Sequence, residues 1–153
     1  MGPVEGDREC DGMSGRWWER VSPHFWRREF VCRCCGECVI DGKLLEGLEA
    51  LRAKGGIPVC VLSGYRCVRH NREVGGSPKS QHCVGRAADI AIAGVGPGGV
   101  FEWAEQVPIF ARGGIGLYPW GGFVHVDVGP GPRRWGWMGG RMVGVAAARA
   151  ACE

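Results

Sequence analysis

The chain has 153 residues and a formal net charge of +3, enough for one compact domain that buries roughly two-thirds of its unfolded surface. Apolar residues make up 45% and charged residues 23%, which excludes an intrinsically disordered chain, and so weak a positive charge does not argue for nucleic acid. No apolar run reaches the roughly 18 residues of a membrane span, and the 28 glycines follow no collagen period, so a turn-rich globular domain is expected.

Residues 1–15 are Gly-rich and polar and are expected to form a disordered tail. The opening stretch Met1 to Cys10 has no apolar core, so no secretory leader is expected and the chain should be cytoplasmic as synthesised. Trp17, Trp18, Phe25, Trp26 and Phe30 form an aromatic-dense segment suited to capping a core. The nine cysteines are odd in number, so at least one stays free, binds metal or pairs between chains. Four crowd into Cys32-Arg-Cys34-Cys35-Gly-Glu-Cys38. Disulfides are rare in a reducing compartment. Three readings stay open here: a second, structural metal, a disulfide that includes Cys67, or buried free thiols.

The clearest helix follows. Asp41 is a suitable N-cap, Ile40, Leu44, Leu45, Leu48 and Leu51 share one face, and Gly55-Gly56 ends it. Ile57 to Leu62 is short, apolar and β-branched and predicts a buried strand. Ser63 to Ser80 has no period and reads as a long loop, a common place for function. Arg86 to Ala93 predicts a strand and Gly98 to Val107 a short helix. Gly114–Tyr118 and Phe123–Val128 predict a hairpin turning through Pro119 to Gly122. Gly129 to Gly140 reads as a Gly/Pro/Trp-rich loop. The domain is set at 16–138, with 139–153 as an Ala-rich tail, helical from Val143 to Ala151.

Chemistry concentrates around two histidines. Ser80-Gln-His82-Cys-Val-Gly85-Arg-Ala-Ala-Asp89 places a carboxylate seven residues after an imidazole. Phe123-Val-His125-Val-Asp127 places a second imidazole on a strand. A catalytic zinc needs three N or O ligands and an open position for water, and His82, Asp89 and His125 supply such a set. A single histidine in a core strand is ordinarily a hydrogen-bonded structural residue, but Asp127 strengthens the metal reading. It lies two residues after His125, on the same sheet face and about 6.8 Å along the strand, and a buried carboxylate beside a buried imidazole requires a reason.

Ser63-Gly-Tyr-Arg66, Asn71 with Val74-Gly-Gly76, Ser80-Gln-His82-x-x-Gly85-x-Ala-Ala-Asp89-Ile, Gly113-Gly-Ile-Gly116-x-Tyr118-Pro and Phe123-Val-His125-Val-Asp127 together resemble the M15 zinc peptidases. Glu29-Phe-x-Cys32-x-Cys-Cys-Gly36 and Arg134-Trp135 extend the likeness over residues 22–136. It is nearest to the D-Ala-D-Ala carboxypeptidase-like branch, which is related to murein endopeptidases and phage lysins. The resemblance implies an α+β single domain with a small antiparallel sheet flanked by helices, as in the hedgehog and D-Ala-D-Ala peptidase fold. It implies one catalytic Zn2+ on His82, Asp89 and His125, and Arg66 holding a substrate carbonyl or carboxylate. Peptidoglycan peptides are the implied substrate, and a monomer is expected. Ser80 and Tyr118 are expected to line the groove, although a packed tyrosine serves equally well at 118.

The sequence departs from the family in one respect that matters for catalysis. Many members place a Glu three residues before the last zinc-binding His, whereas Gly122 stands there. Asp127 is therefore expected as the base or as the group that orients His125. Val68 and Gly129 stand where many relatives carry Pro and Arg. The expected reaction is metal-assisted amide hydrolysis, with release by lysis as the route to the wall. Two competing readings are an inactive zinc-holding wall-binding module and a Cys-rich zinc module contacting nucleic acid.

Overall fold

A computed structural model of the protein describes residues 18–153; the expected tail at 1–15 and Trp17 lie outside them. The described chain begins with a small ribbon, β1 (Arg20–Ser22) paired with β2 (Phe25–Trp26). Phe25 and Phe30 drop into the core and meet edge to face at 6.1 Å, while Trp18 stays exposed. The ribbon is tied to the first helix by Glu49, which accepts hydrogen bonds from the Ser22 hydroxyl at 2.6 Å and the His24 backbone N–H at 2.8 Å.

That helix, α1 (Gly42–Gly55), forms as its sequence dictates. The Asp41 carboxylate accepts from the Lys43 N–H, and Gly56 closes the C-terminus in the left-handed conformation. Leu44, Leu48 and Leu51 are buried along one face. Gly47 sits between them because a β-carbon there would stand 2.5 Å from the Phe110 ring.

The remaining strands are β3 (Val59–Ser63), β4 (Ala87–Ile92), β5 (Gly114–Tyr118), β6 (Phe123–Asp127), β7 (Arg133–Met138) and β8 (Arg141–Val143). They make one sheet in the order β3-β4-β6-β5-β7-β8. All pairs are antiparallel except β5 with β7. Strand alternation divides the sheet into two faces. Val59, Val61, Ala88, Ile90, Ile92, Val124, Val126, Ile115 and Leu117 join the buried core. Against that core pack α1, α3 (Pro97–Glu105) and α4 (Pro108–Ala111), through Val100, Phe101, Ala104 and Phe110. The opposite face carries Asp89, His125 and Asp127.

The α+β reading holds, and four expectations are corrected. The strand at 57–62 is shifted to Val59–Ser63 and only half-buried, because it is the sheet edge and Cys60 and Leu62 face outward. The stretch Ser63 to Ser80 contains α2 (Val68–Glu73), capped by Cys67, whose sulfur accepts the His70 N–H at 3.3 Å. The run 129–140 contains β7. Its Gly136 is required because a β-carbon would stand 2.5 Å from that of Ala148. Finally, 139–153 is not set apart from the domain: β8 extends the sheet, and α5 (Val145–Ala150) buries Ala148 completely.

Candidate metal centre and groove

The pairing register gathers the candidate residues into one row across the sheet. Ser63 stands opposite Asp89, Asp89 opposite His125, His125 opposite Gly116 and Gly116 opposite Trp135. His82 is delivered from outside the sheet by a 3-10 turn at Gln81–Val84. Ser80 caps this turn, its hydroxyl accepting the His82 N–H at 3.2 Å, and Gly85 closes it at φ +73°.

Three donor atoms converge. Asp89 Oδ1 lies 3.3 Å from His82 Nε2 and 3.3 Å from His125 Nδ1, and one ligand atom from each of the three residues lies within 4.8 Å of the others. Nitrogen and oxygen ligands at about 2.0–2.1 Å from a tetrahedral zinc stand about 3.3–3.4 Å apart, so the spacing fits such an ion. The outward nitrogens are fixed. His82 Nδ1 lies 2.7 Å from the Gly64 carbonyl, and His125 Nε2 lies 2.7 Å from Asp127 Oδ2. Each outer nitrogen therefore donates, so that in the neutral ring each inner one keeps its lone pair toward Asp89, the tautomer a metal ligand requires.

Electrostatics reflect this packing. Burial pushes the His82 pKa down, against the pull of Asp89, which favours a neutral ring. Burial alone would lower His125 too, but Asp127 and Asp89 outweigh it and raise the value. Burial alone would raise Asp89, yet its bonds to His125 and His82 hold it well below the ordinary carboxylate range.

Asp127 is fully buried. Its Oδ1 accepts the backbone N–H of Gly114 at 3.0 Å, that of Gly129 at 2.9 Å and the Arg133 guanidinium, while Oδ2 accepts from His125. A carboxylate has about four lone-pair sites. Its capacity is thus spent on backbone, arginine and imidazole. At the position three residues before His125, Gly122 offers no side chain, and among the described residues Asp89 and Asp127 are the only carboxylates lining the groove.

The groove above the three donors encloses about 410 Å³. Arg66 enters it from the chain after β3. The Arg66 backbone N–H donates to the His82 carbonyl at 3.1 Å, and its buried Nε has no hydrogen-bond partner. Tyr118 also lines the groove, stacked on Phe123 at 4.5 Å.

Trp135 is a groove residue to which the sequence alone assigns no role. Its ring packs 5.0 Å from the His125 ring, and its Nε1 donates to the Tyr118 hydroxyl at 3.1 Å. Gly116 makes this possible, since a β-carbon there would stand 2.4 Å from the indole. Arg133 and Gln81 also line the groove unforeseen, the buried Gln81 Oε1 without a partner. The Arg134-Trp135 dipeptide was the available signal, but only the parallel pairing of β7 with β5 shows what it touches.

The cysteines form a second cluster. Cys32, Cys35 and Cys67 bring their sulfurs within 4.8 Å of one another, and Cys34 Sγ lies 3.9 Å from Cys67 Sγ. Cys38 points instead at the Arg27 carbonyl, 3.9 Å away.

A histidine and an aspartate on the polar face of an α+β sheet, joined by a second histidine from a turn beside it, beneath a groove entered by an arginine, are the features of a metallopeptidase class. Residues 23–127 match the peptidase M15 family, and the chain belongs to it. The peptidoglycan L,D-endopeptidase MepK of Escherichia coli (strain K12) is 36% identical over 103 residues, which is 63% of this chain and 54% of that protein. A probable peptidoglycan L,D-endopeptidase MepK of Haemophilus influenzae is 39% identical over 75 residues, 46% of this chain and 39% of that protein. The matched region spans about half the length of the Escherichia coli relative. No helix among the described residues is long and apolar enough to cross a membrane.

Proposed function

We propose that this chain is a zinc-dependent peptidase that hydrolyses an amide bond in the peptide part of peptidoglycan, by endopeptidase action. The observation that carries this reading is the pair of 3.3 Å separations from Asp89 Oδ1 to His82 Nε2 and His125 Nδ1 on the groove floor. The endopeptidase type draws on the activity named for the Escherichia coli relative. His82, Asp89 and His125 would hold the ion, which when bound supplies Lewis acidity and a more acidic water.

The chain's own groups do the rest. Asp127 fixes the His125 tautomer and is a positioning residue; its engaged, buried oxygens argue against the role of base. Arg66 lines the groove, and its guanidinium would hold a substrate carbonyl or carboxylate, which a planar fork grips at two oxygens. Trp135 walls the groove beside His125 and keeps bulk water from one side of the site. Ser80 acts through His82 by capping its turn.

A second reading, a metal-holding wall-binding module without turnover, draws on Gly122, where no acid stands. Digestion of purified peptidoglycan peptides by the zinc-loaded protein, with the products weighed by mass spectrometry, separates the two. Internal cleavage of a peptide stem or cross-link is expected. Loss of a single terminal D-Ala would point to carboxypeptidase action, and binding without any cleavage would favour the inactive module.

A further inference from the structure

We propose that Cys32, Cys34, Cys35 and Cys67 form a second metal site, a closed tetrathiolate that takes a structural zinc ion. Cys32 and Cys35 have the C-x-x-C spacing of a metal-binding knuckle, and the backbone adopts a tight turn there. The Gly36 N–H donates to the Cys32 carbonyl at 2.8 Å, and Gly36 itself sits at φ +75°, where a β-carbon would be strained. The Cys32 sulfur is buried and faces backbone donors. It accepts the Cys67 N–H at 3.4 Å, and the N–H groups of Cys34 and Cys35 also bear on it. These bonds fix the Cys32 sulfur in place facing Cys67. Cys67 arrives from the other segment as the cap of α2, its sulfur accepting the His70 N–H.

The sulfur spacing is compatible with a shared ion. Four thiolates at about 2.3 Å from a tetrahedral zinc stand about 3.8 Å apart. Cys32, Cys35 and Cys67 lie within 4.8 Å of one another, and Cys34 stands 3.9 Å from Cys67 but outside that trio, so its exposed side chain has to turn inward to complete the set. A single disulfide would use only two of the four sulfurs. Each thiol gives up its proton on binding.

The site would clip together two segments that already touch. The Tyr65 N–H donates to the Phe30 carbonyl at 2.8 Å, and Gly64 lies so close to Phe30 that a β-carbon would stand 2.6 Å from its Cα. Arg66 precedes Cys67 directly, so an ion here would anchor the arginine that enters the groove. His82 is served as well, because its Nδ1 bonds to the Gly64 carbonyl in the same segment.

The test uses the whole protein with two readouts. Fully zinc-loaded protein should hold about two equivalents of zinc, falling to about one in His82→Ala and to about one in Cys35→Ser. Because the cysteine variant could misfold, unmutated protein is also stripped and reloaded with cobalt. A near-ultraviolet thiolate-to-cobalt charge-transfer band is expected, and it should persist in His82→Ala, since the histidine site contains no sulfur. Folded, cobalt-saturated protein without that band would overturn the proposal. So would zinc content unchanged by Cys35→Ser, or a Cys34–Cys67 disulfide found by mass in protein purified with its metal.

Discussion

Asp89 and His125 stand directly opposite each other on neighbouring antiparallel strands, with Oδ1 and Nδ1 3.3 Å apart. This register makes the candidate metal centre: a slip of one residue would turn Asp89 or His125 into the hydrophobic core. His125→Ala should therefore abolish zinc binding at this centre while the apolar face is unaffected. Metal analysis and circular dichroism on the same sample check this; native zinc content in the folded variant would show that the ion sits elsewhere.

Asp127 gives a graded effect. Asp127→Asn removes the charge and one of the two acceptor oxygens that hold His125 and its surroundings, and should weaken zinc affinity about 10–100-fold. A general base would behave differently, with full zinc affinity and a rate loss of roughly a hundredfold to ten-thousandfold. Competition against a chelator of known affinity, run beside a cleavage assay at saturating zinc, distinguishes them.

The same carboxylate makes stability depend on pH. Burial alone would raise its pKa, but His125, Arg133 and the Gly129 N–H outweigh burial and hold it below the ordinary range. Its stabilisation is therefore full above the unfolded value of about 3.9 and lost as pH falls through the lower folded value. In chelator-treated protein, Asp127→Asn should cost about 3 kcal/mol near neutrality. The gap between variant and parent should narrow below about pH 4. Urea unfolding of both proteins across that window measures it, and a gap independent of pH would contradict the pairing.

Much of this arrangement was legible in the chain. Asp41, the leucine period and Gly56 define α1 because capping and periodicity are local signals. The hairpin strands and the alternation that separates His125 and Asp127 from Val124 and Val126 were equally local. What escaped depends on distant partners. Six-residue α2 is too short for a period, and a sulfur caps it. Strand β7 reads as loop because Gly136 is there to admit Ala148, and Trp135 becomes part of the groove only through β5. Asp127 could be placed beside His125, but the donors that occupy it come from Gly114, Gly129 and Arg133.

Arg66 should act on substrate and not on metal. Lysine keeps the charge but lacks the planar fork, so Arg66→Lys should lower kcat/KM about tenfold or more, or about 1.4 kcal/mol of transition-state binding. Zinc content should not change. Steady-state kinetics on a soluble muropeptide, with metal analysis of the same preparation, tests this; unchanged kinetics would assign Arg66 a structural role.

Gly116→Ala tests the aromatic wall. The new methyl group would collide with Trp135 at 2.4 Å, and overpacking of this kind costs about 1–3 kcal/mol. A lower Tm with altered tryptophan fluorescence is expected, together with weaker cleavage. A variant as stable and active as its parent would show that the indole does not need its place beside His125.

The most direct measurement is cleavage of a peptidoglycan peptide by metal-free protein titrated with zinc, in parallel for the parent and His125→Ala. Activity should be absent at the start and rise as zinc fills the centre of His82, Asp89 and His125. It should stay absent in the variant at every zinc concentration. Equal cleavage by metal-free and zinc-loaded parent, or zinc-restored cleavage in His125→Ala, would contradict the assignment of that centre as catalytic.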